Sequence, residues 1–137
     1  GGKVALWTAA FDPRPASAVS IAGITPLRTS TGTEGIRAYS HLHGLLPRLG
    51  FYADEPGALP VDYDDVLRQT AGRRVLLIAP THDRYADLAA LRKVAEPFNH
   101  VELSTPDDFN RLSRPAQTLA FDWLDRLNAA RKPLMNQ

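Results

Sequence analysis

A chain of 137 residues with 44% hydrophobic and 23% charged side chains is one globular domain or part of one. Sixteen Lys and Arg against fifteen Asp and Glu leave a net charge of +1, which excludes the basic footprint of a nucleic-acid binder; no run approaches the roughly 18 apolar residues of a membrane span. The absence of cysteine excludes a disulfide framework, a thiolate nucleophile and a thiolate-ligated metal.

In chain order, Lys3 to Ala10 is apolar and alanine-rich and predicts a helix that stops near Asp12-Pro13. The chain opens at Gly1-Gly2 already running into this segment, as if cut from something longer. Ala18 to Gly23 predicts a short strand. Leu27 to Gly35 is rich in Ser, Thr and Gly and predicts a loop. Ile36, Tyr39, His43 and Leu46 recur at helical spacing, in a helix broken around Gly44 or Pro47. Phe51 to Pro60 reads as irregular, and Asp62 is placed to cap a short helix ending near Thr70. Val75 to Ala79 is an unbroken apolar run, the pattern of a strand buried on both faces. Asp87 to Phe98 predicts a helix and Val101 to Ser104 a third strand. Ser113 then caps a long helix with Ala116, Leu119, Ala120, Trp123, Leu124 and Leu127 on one face and Pro115 in its first turn. Trp7, Phe121 and Trp123 read as core aromatics, and the tail from Lys132 as frayed.

Helices alternating with strands predict an α/β fold: three parallel strands, centred near Ile21, Leu77 and Leu103, adjacent in one sheet and flanked by helices. Ligands of such sheets sit outside the carboxyl ends of the strands, where Asp83 falls. Asp87 reads as a helix cap. Of the four histidines, His100 precedes the last strand, about 15 Å from that edge. His82 neighbours Asp83, but side chains of adjacent turn residues tend to diverge. His41 and His43 lie in the long 27–61 connection, which could fold over the edge as a lid. His41 and His43, two apart, share a face only on a strand, so no metal site is expected. Gly1-Gly2-Lys3 lacks the Ser or Thr that comes after the lysine of a phosphate loop, and no cofactor is expected.

The turn Pro80-Thr81-His82-Asp83-Arg84-Tyr85-Ala86 resembles the acid turn of α/β-hydrolases, in which the triad acid comes after the next-to-last strand. Gly1-Gly2-Lys3-Val4-Ala5-Leu6 resembles the segment just past the nucleophile in the G-x-S-x-G-G form of the elbow. His41 to Phe51 and Asp108 to Ser113 look like the dienelactone-hydrolase or acetylxylan-esterase branch. The order of elements over nearly the whole chain is the strongest part of this resemblance.

The resemblance implies the C-terminal part of a single α/β-hydrolase domain over residues 1–137, starting just after the nucleophile-elbow serine. The activity implied is hydrolysis of a carboxylic ester, of a small molecule or an acylated carbohydrate, with Asp83 orienting a histidine. That histidine should come after the final strand, where the chain has Thr105-Pro106-Asp107-Asp108-Phe109-Asn110-Arg111. His43, brought over by the lid, is the substitute base. The N-terminal half of the same domain is the implied partner. The isolated chain is expected to be inert, to expose an apolar strand edge and the inner side of the Val4 to Ala10 helix, and to self-associate. A non-catalytic binding module of the same fold, favoured by the empty histidine position, and a small flavodoxin-like ligand-binding domain are the alternatives.

Overall fold

The computed structural model describes residues 1–29, 35–36, 39–40 and 48–131. The elements are α1 (Gly2–Phe11), β1 (Ser17–Ile21), α2 (Tyr63–Gln69), β2 (Arg74–Ile78), α3 (Leu88–Ala95), β3 (Val101–Ser104) and α4 (Arg114–Arg131), with short 3-10 turns at Leu49–Tyr52 and Pro56–Ala58. The strands form one parallel sheet in the order β1-β2-β3, with Val19 opposite Leu76 and Leu77 opposite Leu103. The fold is therefore α/β, an open three-stranded parallel sheet flanked by helices. Among the described residues no helix is long and apolar enough to cross a membrane.

β2 organises both layers. Its side chains alternate between faces, as strand geometry requires. Val75 and Leu77 enter a core with Leu6 of α1, Val66 and Leu67 of α2 and Leu91 of α3, while Leu76 and Ile78 meet Ala120 and Trp123 of α4. Each of these β2 side chains is at most 1% exposed, and full burial stabilises by ~1.5–3 kcal/mol per large aliphatic side chain. Successive crossovers of one hand, moving one way across a sheet, put their helices on one face. α2 and α3 share a face accordingly, and α4, after the last strand, covers the other.

Local chemistry sets the element ends. β1 stops two residues sooner than the apolar pattern suggests, because Ala22 (φ 54°) and Gly23 (φ 76°) turn left-handed. α2 starts at a capping box between Asp62 and Asp65. The Asp62 carboxylate, 4% exposed, also accepts from the amides of Leu27 (2.8 Å) and Arg28 (2.7 Å). Arg28 in turn reaches Asp64 (3.1 Å) and Asp65 (2.9 Å), fastening the start of the long connection to α2. The Ala90 amide donates to the Asp87 carboxylate, which caps α3, and the Ala116 amide donates to the Ser113 hydroxyl ahead of α4. α3 ends at Ala95, short of the expected Phe98, because Pro97 cannot continue a helix.

Two expectations need correction. Phe121 is 64% exposed rather than core, since it lies two residues from Trp123 and faces away from the sheet. The inner side of α1 is packed, with Leu6 and Ala9 buried; its exposed apolar side chains are Val4 and Phe11, on the outer side. β1 does form a sheet edge and pairs only with β2 among the described strands.

α1 meets β1 with no spare room at Gly2. A Cβ there would lie 2.2 Å from the Ala22 carbonyl oxygen and 2.7 Å from that of Ile21. Gly2→Ala is expected to destabilise by ~1–3 kcal/mol through this overlap, although alanine is the better helix former. Thermal melting of the variant checks the sign.

Candidate functional site

All three strands run the same way, so their carboxyl ends open on one edge, and the loops after β2 and β3 extend the pairing beyond the sheet. The amides of Ala79, Thr81 and His82 donate to the carbonyls of Ser104 (2.8 Å), Pro106 (2.9 Å) and Asp108 (3.0 Å). This ladder fixes Asp83 in a tight turn, its own amide bonded to the Pro80 carbonyl at 3.1 Å. Asp83 is 5% exposed. Its Oδ1 accepts from the Tyr85 amide and its Oδ2 from the Asn110 side-chain Nδ2, both at 3.0 Å.

Asn110 belongs to a loop built around Asp108. Asp108 accepts from the Phe109 amide (2.8 Å), from Arg111 Nε (3.0 Å) and from the Ser113 hydroxyl, whose oxygen receives the Ala116 amide at the start of α4. The Ser113 hydroxyl first, then the Phe109 amide and Arg111, hold the Asp108 carboxyl below its ordinary value.

Beside this loop lies a cleft of about 540 Å³, lined by Gly1, Gly2 and Lys3 of the α1 start, the Ile21–Gly23 turn, Tyr39, Tyr85 and Asn110. Lys3 Nζ sits 3.2 Å from the centre of the Tyr39 ring. Burial lowers the Lys3 pKa to about 8, against the pull of the ring face, which favours the charged form. The Tyr39 hydroxyl donates to the Tyr85 carbonyl at 3.3 Å. Its pKa is pushed up to about 12 by burial first, then by the charge of Asp83 and by Tyr85. A slightly larger hollow, about 570 Å³, runs along the outer side of α1 past Val4, Trp7 and Phe11. Its charged residues, Asp12 and Arg14, are paired with each other at 2.6 Å, so the chemistry converges on the Asp83 edge instead.

No family model and no curated protein match the chain. Among solved structures it is similar to a promiscuous CE15 esterase from the marine bacterial metagenome, with 27% identity over 69% of this chain and a TM-score of 0.54. This is an esterase-like α/β fold. The chain spans 25% of the length of that esterase.

Asp83 stands at the carboxyl edge, bordering the cleft through Tyr85 and Asn110. His43, with His41, lies outside the described residues. His82 turns away from Asp83, placing Nε2 2.7 Å from Asp107 Oδ1 with its ring against Phe109. His100 sits at the opposite end of the sheet, Nε2 3.1 Å from the Thr70 hydroxyl and 3.2 Å from the Leu67 carbonyl. No cluster of three His, Cys, Asp or Glu among the described residues could hold a metal ion. Sequence reasoning missed Lys3, Tyr39, Tyr85 and Asn110 as cleft residues. Tyr39 shows only as a core position of its helix. The signal for Asn110 is its place after the last strand, the stretch in which the resemblance implies a histidine.

Two measurements test these charges. Lys3 is expected to titrate near pH 8 when monitored by the NMR shift of its Cε, well below exposed lysines at about 10.4. Asp108, lowered in the folded state, stabilises above the ordinary carboxylate pKa and loses that contribution as pH falls through its depressed value. Asp108→Asn should flatten the acid side of the melting temperature plotted against pH.

Proposed function

We propose that this chain forms the C-terminal part of a carboxylic ester hydrolase domain and supplies its acid. One observation carries the reading: a buried carboxylate, Asp83, at the carboxyl end of β2, bordering a cleft that the start of α1 lines. The similarity to an esterase, of which the chain spans a quarter, supports it. In this reading the nucleophile serine lies two residues ahead of Gly1, in the N-terminal half of the domain. It attacks the ester carbonyl after a histidine takes its proton. Asp83 holds that imidazole in its productive tautomer, and His43, in the 27–61 connection, is the base. Lys3 places a cation near the ester oxygens. The resemblance of the turn and loop motifs to dienelactone hydrolases and acetylxylan esterases makes the substrate a small-molecule or carbohydrate ester. The edge of β1 takes up the N-terminal half of the domain, and a second copy when the chain is alone.

One observation favours a second reading, a non-catalytic binding module of the same fold. The residue hydrogen-bonded to Asp83 from the loop after β3 is an amide, Asn110.

Hydrolysis of p-nitrophenyl acetate separates the two. The isolated chain is expected to show no enzymatic turnover. In the polypeptide that includes the serine, Asp83→Asn should leave the fold intact and lower kcat by ~10²–10⁴-fold, because it favours the wrong histidine tautomer. Unchanged turnover in that variant removes Asp83 from the mechanism. Absence of turnover in the unaltered polypeptide leaves the binding module as the reading.

A further inference from the structure

The Asp83–Asn110 contact joins two loops that the backbone holds in register through the bonds from Thr81 to Pro106 and from His82 to Asp108. Asp108 braces the Asn110 loop from within through Phe109, Arg111 and Ser113. The carboxamide is thus presented to Asp83 by a framework that does not depend on the contact itself. Asn110 is exposed. It borders both the 540 Å³ cleft and an adjoining hollow of about 310 Å³, each of which Gly1 and Gly2 also line. One amide N–H goes to Asp83 Oδ2. A carboxamide has a second N–H and a carbonyl oxygen with which to meet a ligand.

We propose that Asn110 is a ligand-positioning residue of this site: held by Asp83 where it lines the cleft, it orients an ester oxygen by hydrogen bonding without moving a proton, a role separate from that of the base. Asp83 accepts at both oxygens, so its acceptor capacity fixes the amide with nitrogen towards the carboxylate and leaves the rest of the amide for the ligand. An imidazole at the same place would gain a carboxylate partner and a solvent-facing nitrogen. The exposure of residue 110 gives the larger ring room. The inference takes from the ester-hydrolase reading only the class of ligand.

The test uses the 137-residue chain and NMR. In Asn110→His the new imidazole is expected to titrate at least about one pH unit above the ordinary ~6.5. It should return to the ordinary value when Asp83→Asn is added. In the unaltered chain, phenyl acetate should shift the side-chain amide signals of Asn110 and leave those of Asn99 and Asn128 in place. An imidazole that titrates normally with Asp83 present overturns the proposal, and so does an Asn110 amide that stays unmoved up to saturating ester. Should Asn110→His fail to fold, Asn110→Asp reads the same proximity. Two facing carboxylates should then cost stability progressively as pH rises through the carboxylate range, and a melting profile parallel to that of the unaltered chain overturns the proposal. Lack of esterase turnover in the longer polypeptide, with both NMR readouts positive, fails the function proposed above and leaves this assignment standing.

Discussion

Val75 to Ile78 lose contact with water on both sides at once, and that burial governs the rest of the architecture. A strand buried on two faces needs a helical layer on each. Parallel neighbours need long connections, and those connections are where the helices come from. Once β1 and β3 pair with β2 in parallel, all three carboxyl ends fall on one edge. The turns leaving that edge carry Ala22–Gly23, Asp83 and Asn110. The site is thus a consequence of topology: residues as far apart in sequence as Ala22 and Asn110 line one cleft because their strands point the same way.

Two buried carboxylates do the local positioning, in the same manner. Asp62 gathers the amides of Leu27, Arg28 and Tyr63. Asp108 gathers the Phe109 amide, the Arg111 guanidinium and the Ser113 hydroxyl. Removing a carboxylate that accepts several hydrogen bonds would orphan each donor. Asp62 ties the long connection to α2. Asp108 ties the last loop to the start of α4 and sets the position of Asn110. Asp83 belongs to the same class by burial, but one of its two described donors is a side chain that lines the cleft.

The sequence displayed the sheet well because apolar continuity and helical periodicity are local signals. Val75 to Ala79 and the face from Ala116 to Leu127 could hardly be read otherwise, and Asp62, Asp87 and Ser113 declared themselves as caps by type and position. Phe121 misled because hydrophobicity alone does not give the face a residue takes on a helix. The end of β1 misled because a left-handed Ala22 has no compositional mark. Asp83 was legible from the turn after β2. The cleft was not, because it depends on the close approach of Gly2 to β1 and on Tyr39 coming over Lys3, contacts between segments far apart in the chain. Asn110 was not legible either, because its bond to Asp83 depends on the pairing of the loops after β2 and β3, which no local pattern marks.

The charges around the cleft have a definite sense. Asp83 stands on one side with its carboxylate satisfied by Tyr85 and Asn110. On the other side stand Lys3 and the first turn of α1, whose end carries partial positive charge. Tyr39 lies between them, over Lys3 and bonded to the Tyr85 backbone, and its raised pKa keeps it neutral. A ligand entering between Gly1 and Asn110 would therefore meet donors on both flanks: the Lys3 ammonium and the free N–H of the Asn110 amide. Such a cleft favours oxygen atoms that carry or gain negative charge, as an ester carbonyl does under attack. What the described residues offer at this edge is therefore hydrogen-bond donors and one cation, the means of orienting an oxygen-bearing ligand.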